Sequence, residues 1–190
     1  PLTVSFGEEF YLDQLTIKPK QFIDKLVKST EIPRSSQPSL MDFTNRYNYL
    51  TTHYDSIISV HLNGKFSGMI NSSRKAATAV SNTSGKKIDV IDSLSATGAL
   101  GLSVLRTAEA AINGMKHDEL VTKATEWCNK TKLFVSCVNT EYLINSGRLS
   151  TFKAMILKLF RIKPLFTIDE DGELQLKTFS FRTKDNFKKI

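Results

Sequence analysis

The sequence predicts an α/β protein, with a parallel-sheet domain covered by helices on both faces joined to a smaller α+β domain of antiparallel strands. Two observations carry this expectation. Between residues 56 and 138, short β-branched runs alternate with longer helix-patterned stretches, the order that builds a covered parallel sheet. After Asn139 the style changes, and two alternating strands flank Asp169-Glu170-Asp171-Gly172, a turn sequence with glycine where positive φ is usual. The first domain is expected over residues 1–131 and the second over 132–190. With 190 residues, 41% of them hydrophobic, the chain buries a core without needing cross-links.

Taken in order, Phe22, Ile23, Leu26 and Val27 recur at helical spacing after Pro19, which suits a first helical turn. Residues 32–39 hold two prolines and three serines and read as an ordered loop. Ser39 and Asp42 then resemble a capping box for a helix with Leu40, Phe43, Tyr47 and Leu50 on one face. Residues 56–62 form a short buried strand, 67–80 a helix and 87–91 the next strand. A helix over 99–112 ends at Asn113-Gly114, Asp118 caps another through Trp127, and 133–138 is a third strand. Beyond it lie a helical turn at 141–145, a loop at 147–150, an apolar helix at 151–160, and strands at 164–168 and 174–181.

Charge narrows the partners. Lys and Arg number 26 against 19 acids, a net charge of +7, and the excess concentrates in Arg148, Lys153, Lys158, Arg161 and Lys163. No RNA-binding aromatic signature, zinc finger or basic zipper accompanies it, so nucleic acid is not expected as a partner. Cys128 and Cys137 fit no zinc or redox spacing and read as reduced thiols. With no apolar run approaching the roughly 20 residues that span a bilayer and no leader pattern before Pro1, a soluble, cytoplasmic protein is expected.

The chemistry centres on two serine loops. Ser35 and Ser36 lie in the proline-bounded loop, and Ser67 opens a helix just past a strand. In an open parallel sheet such loops face the ligand crevice, and a helix N-terminus offers free N–H groups with partial positive charge, which suits a carboxylate or phosphate. The plainer reading is that Ser39 and Ser67 are only helix caps.

The same residues carry a resemblance. Ser35-Ser36-Gln37-Pro38-Ser39 is similar to the Thr-Ser-Gln-Pro-Ser motif of the DegV family of fatty-acid-binding proteins, and Phe66-Ser67-Gly68-Met69 resembles its Leu-Ser-Gly-Thr motif. Val90-Ile91-Asp92-Ser93 with Gly98 and Gly101, Tyr142-Leu143 with Gly147-Arg148-Leu149-Ser150, and Ile162-Lys163-Pro164 followed by Asp171-Gly172 continue the family's order. The resemblance implies a DegV-like fold holding a long-chain fatty acid, its carboxylate bound at Ser35 and Ser67 with Ser36 and Gly68 beside them. Hydroxyl and backbone donors suit a carboxylate, and each buried CH₂ of a tail contributes about 0.8 kcal/mol. It also implies presentation of the lipid to a separate fatty acid kinase, with no cofactor and no catalytic residue in this chain.

Ser35 stands where the family has Thr, Asn63-Gly64 and Met69 replace Ser-Ser and Thr, and Leu157 replaces Gly. The chain also starts after the family's opening strand and stops before its closing segment, so it reads as part of a longer protein. His61 and Arg148 are further candidates for ligand or partner contact, Arg148 being equally suited to a plain salt bridge. Phe152, Met155, Ile156 and Leu159 are expected to line the acyl tail. Their helix reads most simply as core-facing with a basic outer face, and alternatively as resting on an anionic membrane during ligand exchange. A hydrolase or phosphotransferase using Ser67, with His61 and Asp92 as a triad, is the competing function, but the sequence lacks a Gly-x-Ser-x-Gly elbow. Gly64-Lys65 is no P-loop, and three histidines without clustered cysteines do not make a catalytic metal site.

Overall fold

The computed structural model describes residues 1–136, 141–147, 163–181, 183–186 and 188, and it opens with an element that the sequence pattern conceals. β1 (Thr3–Phe6) and β2 (Glu9–Leu12) form a hairpin, and β3 (Arg34–Ser36) pairs antiparallel with the other edge of β1. The expected loop at residues 32–39 therefore contains a strand, with Ser35 opposite Val4 and Ser36 opposite Thr3. All three residues of β3 are exposed, so no apolar alternation marks them, and pairing with β1 rather than propensity makes the strand. Between β2 and β3, α1 (Pro19–Lys28) begins at its proline and leans Phe22 against the buried Phe6, ring centroids 5.5 Å apart.

α2 (Leu40–Thr51) starts with the anticipated capping box: Ser39 Oγ accepts the Asp42 N–H at 3.2 Å, and the Ser39 N–H donates to the Asp42 carboxylate at 2.8 Å. Then follow β4 (Ser56–His61), α3 (Met69–Ser84), β5 (Lys87–Asp92), α4 (Thr97–Ile112) and α5 (His117–Lys130). β4 and β5 run parallel, with Ile57 opposite Ile88 and Val60 opposite Ile91. Because side chains alternate along a strand, the pair is apolar on both faces. Ile57, Ile88 and Val90 pack with Tyr47, Ala76, Ala77 and Val80 of α2 and α3. Ile58, Val60 and Ile91 pack with Val121, Ala124 and Cys128 of α5. One cap expected from the sequence is corrected: α5 begins a residue before Asp118, with Lys116 at its N-cap, and Asp118 instead pairs with Lys87 at 2.7 Å.

β6 (Phe134–Ser136), β7 (Lys163–Ile168) and β8 (Leu174–Ser180) form an antiparallel sheet in that order, with α6 (Glu141–Asn145) following β6 and α7 (Thr183–Asn186) following β8. The strand at 134–136 thus belongs to this sheet and not to the parallel one. Asn186, fully buried, ties the sheet together, donating to Ser136 Oγ at 2.7 Å and to the Lys163 carbonyl at 3.1 Å while accepting from Ser180 Oγ at 2.8 Å. Gly172 sits in the β7–β8 turn at φ +80°, as the turn sequence requires.

Candidate functional site

β4 ends at His61, and residues 62–68 lead into α3, whose N-cap is Gly68 with no side-chain cap of its own. Ser67 takes part of that role, its Oγ accepting the Met69 N–H at 3.2 Å. The helix runs 16 residues and directs the positive end of its dipole into this loop. Gln37, which follows Ser35-Ser36 directly, reaches across to it. Its Oε1 accepts from Ser67 Oγ at 3.3 Å, and its Nε2 donates to Ser72 Oγ at 3.1 Å. A Cβ at position 68 would stand 3.0 Å from Gln37 Oε1, so a glycine there leaves room for the crossing.

The two serine motifs are therefore joined, through Gln37 rather than directly. Ser35 and Ser36 are exposed on β3, and Ser35 forms part of the wall of a cleft of about 1290 Å³ that also carries Phe10, Phe22, Leu26 and Ile32. Among the described residues no hydrogen bond joins Ser35 to Ser67. Gln37 makes this link although a neutral amide announces no chemistry in the sequence. The loop after β4 is held from below by Asp92, which accepts the Gly64 N–H at 3.0 Å and the Leu94 N–H at 2.9 Å. Arg148 and the expected tail-lining residues Phe152, Met155, Ile156 and Leu159 lie outside the described residues.

His61 is buried and faces α2 and α3. Its Nε2 lies 2.8 Å from Ser59 Oγ and 2.7 Å from Ser73 Oγ, and the Tyr47 hydroxyl bonds both serines at 2.8 and 2.6 Å. Neither Ser67 nor Asp92 hydrogen-bonds the imidazole among the described residues, so the triad is not assembled. Burial holds the His61 pKa below its ordinary value; the Asp92 charge pulls it upward and Arg74 pushes it down. The unfolded chain, titrating near 6.5, thus takes up a proton that the folded chain refuses. Stability from His61 is complete above about pH 6.5 and declines as pH falls from there toward the depressed folded value. Thermal melts between pH 7.5 and 5 should show this slope, and His61→Gln should flatten it; an equal slope in both proteins would remove His61 as its source.

Among the described residues no helix is long and apolar enough to cross a membrane, and no group of three His, Cys, Asp or Glu is placed to hold a metal. The profile of the DegV family, described as "Uncharacterised protein, DegV family", matches residues 1–190. The chain belongs to the DegV family. A DegV domain-containing protein of Staphylococcus aureus is 32% identical over 176 residues, covering 93% of this chain and 61% of the relative. Protein DegV of Bacillus subtilis is 33% identical over 172 residues, 89% of this chain and 59% of its own length. The chain thus spans about three-fifths of the curated relatives it matches.

Solved DegV structures share the fold. The crystal structure of DegV, a fatty acid binding protein from Bacillus subtilis, has a TM-score of 0.86 at 28% identity, covering 100% of this chain and 66% of that one. The Streptococcus pneumoniae fatty acid kinase B3 protein loaded with linoleic acid has a TM-score of 0.87 at 26% identity over 100% of this chain and 66% of that one. These bear out the α/β fold with its parallel and antiparallel sheets.

Proposed function

We propose that this chain binds a long-chain fatty acid in the cytoplasm and presents it to a separate fatty acid kinase, with no chemistry of its own. Residues 1–131 supply the carboxylate loops and 132–190 contribute to covering the tail. Ser35 and Ser67 are the carboxylate anchors, with Ser36 and Gly68 beside them. The observation that carries this reading is the Gln37 bridge, which joins the serine strand to the Ser67 loop at the N-terminus of α3. Hydroxyls and helix-end amides together suit an anion of carboxylate size. The kinase B3 protein loaded with linoleic acid and the fatty acid binding DegV of Bacillus subtilis, both of this fold, support the ligand class, and the former also supports the partner class.

A hydrolase using Ser67 gains nothing from the geometry, since Ser67 Oγ is directed at Gln37 and the buried imidazole at Ser59 and Ser73. The test is denaturing extraction of the purified protein, followed by mass spectrometry of released lipid, on wild type and on Ser35→Ala/Ser67→Ala. A stoichiometric fatty acid in wild type and its depletion in the folded variant are expected. Folded, full-length wild type that carries no acyl lipid and takes none up would overturn the reading.

A further inference from the structure

The antiparallel sheet meets the Ser67 loop at Asn63, and we propose that Asn63 is a positioning residue, a latch that holds the two together and sets how fast bound ligand leaves. This rests on the fatty-acid reading above. Asn63 is 0% exposed although it lies in a loop. Its backbone N–H donates to the Ser95 carbonyl at 2.8 Å and its carbonyl accepts the Phe66 N–H at 3.0 Å. Its side-chain Oδ1 accepts the Lys65 N–H at 2.9 Å, and its Nδ2 donates to the Gly172 carbonyl at 2.6 Å. The two side-chain partners fix the amide's orientation, because an N–H can face only the oxygen and a carbonyl only the NH₂.

The turn is shaped to receive it. A Cβ on Gly172 would stand 2.9 Å from Asn63 Oδ1 and 3.0 Å from Nδ2, so closeness as well as φ requires glycine there. Beside it Lys65 pairs with Glu173 at 3.1 Å, an exposed contact that contributes little alone. The loop of residues 63–68 is thus gripped from two sides, by Gln37 beyond β3 and by Gly172 from the β7–β8 turn. The Asn63 bond keeps the loop that carries Ser67 fixed against the turn, and in this proposal loosening that loop weakens its hold on a ligand at Ser67.

The test follows release and uptake of cis-parinaric acid, a fluorescent fatty acid, by wild type, Asn63→Ala, Asn63→Asp and Gly172→Ala in the full-length chain, alongside amide hydrogen exchange. Asn63→Ala loses both side-chain bonds, of which the one to Gly172 alone crosses to the turn, and it should speed release about tenfold without slowing uptake. Exchange should quicken at residues 64–66 and 171–173 and nowhere else. Asn63→Asp keeps the acceptor for Lys65 but opposes the Gly172 carbonyl, so it should match Asn63→Ala; wild-type release from it would overturn the proposal. So would unchanged release from Asn63→Ala and Gly172→Ala, or slower uptake with faster exchange throughout, the mark of a merely structural residue. If wild type fails to bind cis-parinaric acid, the fatty-acid reading and the control of release fall together, while the exchange pattern still reports whether Asn63 joins the two sheets.

Discussion

Tyr47→Ala should lower the unfolding free energy by about 3–5 kcal/mol, measured by urea denaturation at unchanged m-value. Tyr47 is 3% exposed and fills the space between α2, α3 and the parallel strands, against Ile57, Ala76, Ala77 and Val80. Truncation leaves a cavity and also strips a partner from Ser59 and from Ser73, which has no exposed surface. Tyr47→Phe separates the two effects. It keeps the ring and loses only the hydroxyl, so it should cost about 1–2 kcal/mol. If Tyr47→Phe were neutral, the polar cluster would contribute nothing to joining the two helices, and the cost of Tyr47→Ala would be packing alone.

Phe166→Ala should cost a similar amount, about 3–5 kcal/mol, through the antiparallel sheet. Phe166 is 1% exposed on the central strand β7, and its neighbour Leu165 is also 1% exposed. Consecutive strand residues point to opposite faces, so β7 is covered on both, and the register shift between Leu165 and Phe166 puts the extra residue, Lys177, in β8. Phe166→Leu, which keeps most of the volume, should cost only about 1–2 kcal/mol. Chemical denaturation of both variants checks this, and equal losses in the two would show that ring shape rather than filled volume matters at this position.

The parallel strands were legible because residues 56–61 and 87–92 are short, β-branched and apolar on both faces, a combination that few other elements need. The hairpin turn was legible from Asp171-Gly172. The first sheet was not: β2 and β3 expose nearly all their residues, and β1 has a single buried position, so their pairing is set by backbone bonds that leave no trace in hydropathy. Ser67 could be found because a helix start and a strand end converge on it. Gln37 and Asn63 could not, since a neutral amide has no preferred partner until the chain brings one within reach, and the partners here lie 30 and 109 positions away.

That last span has a kinetic meaning. Closing a loop of 109 residues costs entropy that rises only with the logarithm of its length, but nothing repays it until the elements at both ends exist. The Asn63–Gly172 bond therefore forms late, after β4 and the β7–β8 hairpin have each been built from nearer neighbours. Interactions absent from the transition state act on the rate of unfolding and leave the rate of folding almost untouched. Natural variation at these two positions can accordingly retune how long the assembled molecule lasts without changing how readily it assembles.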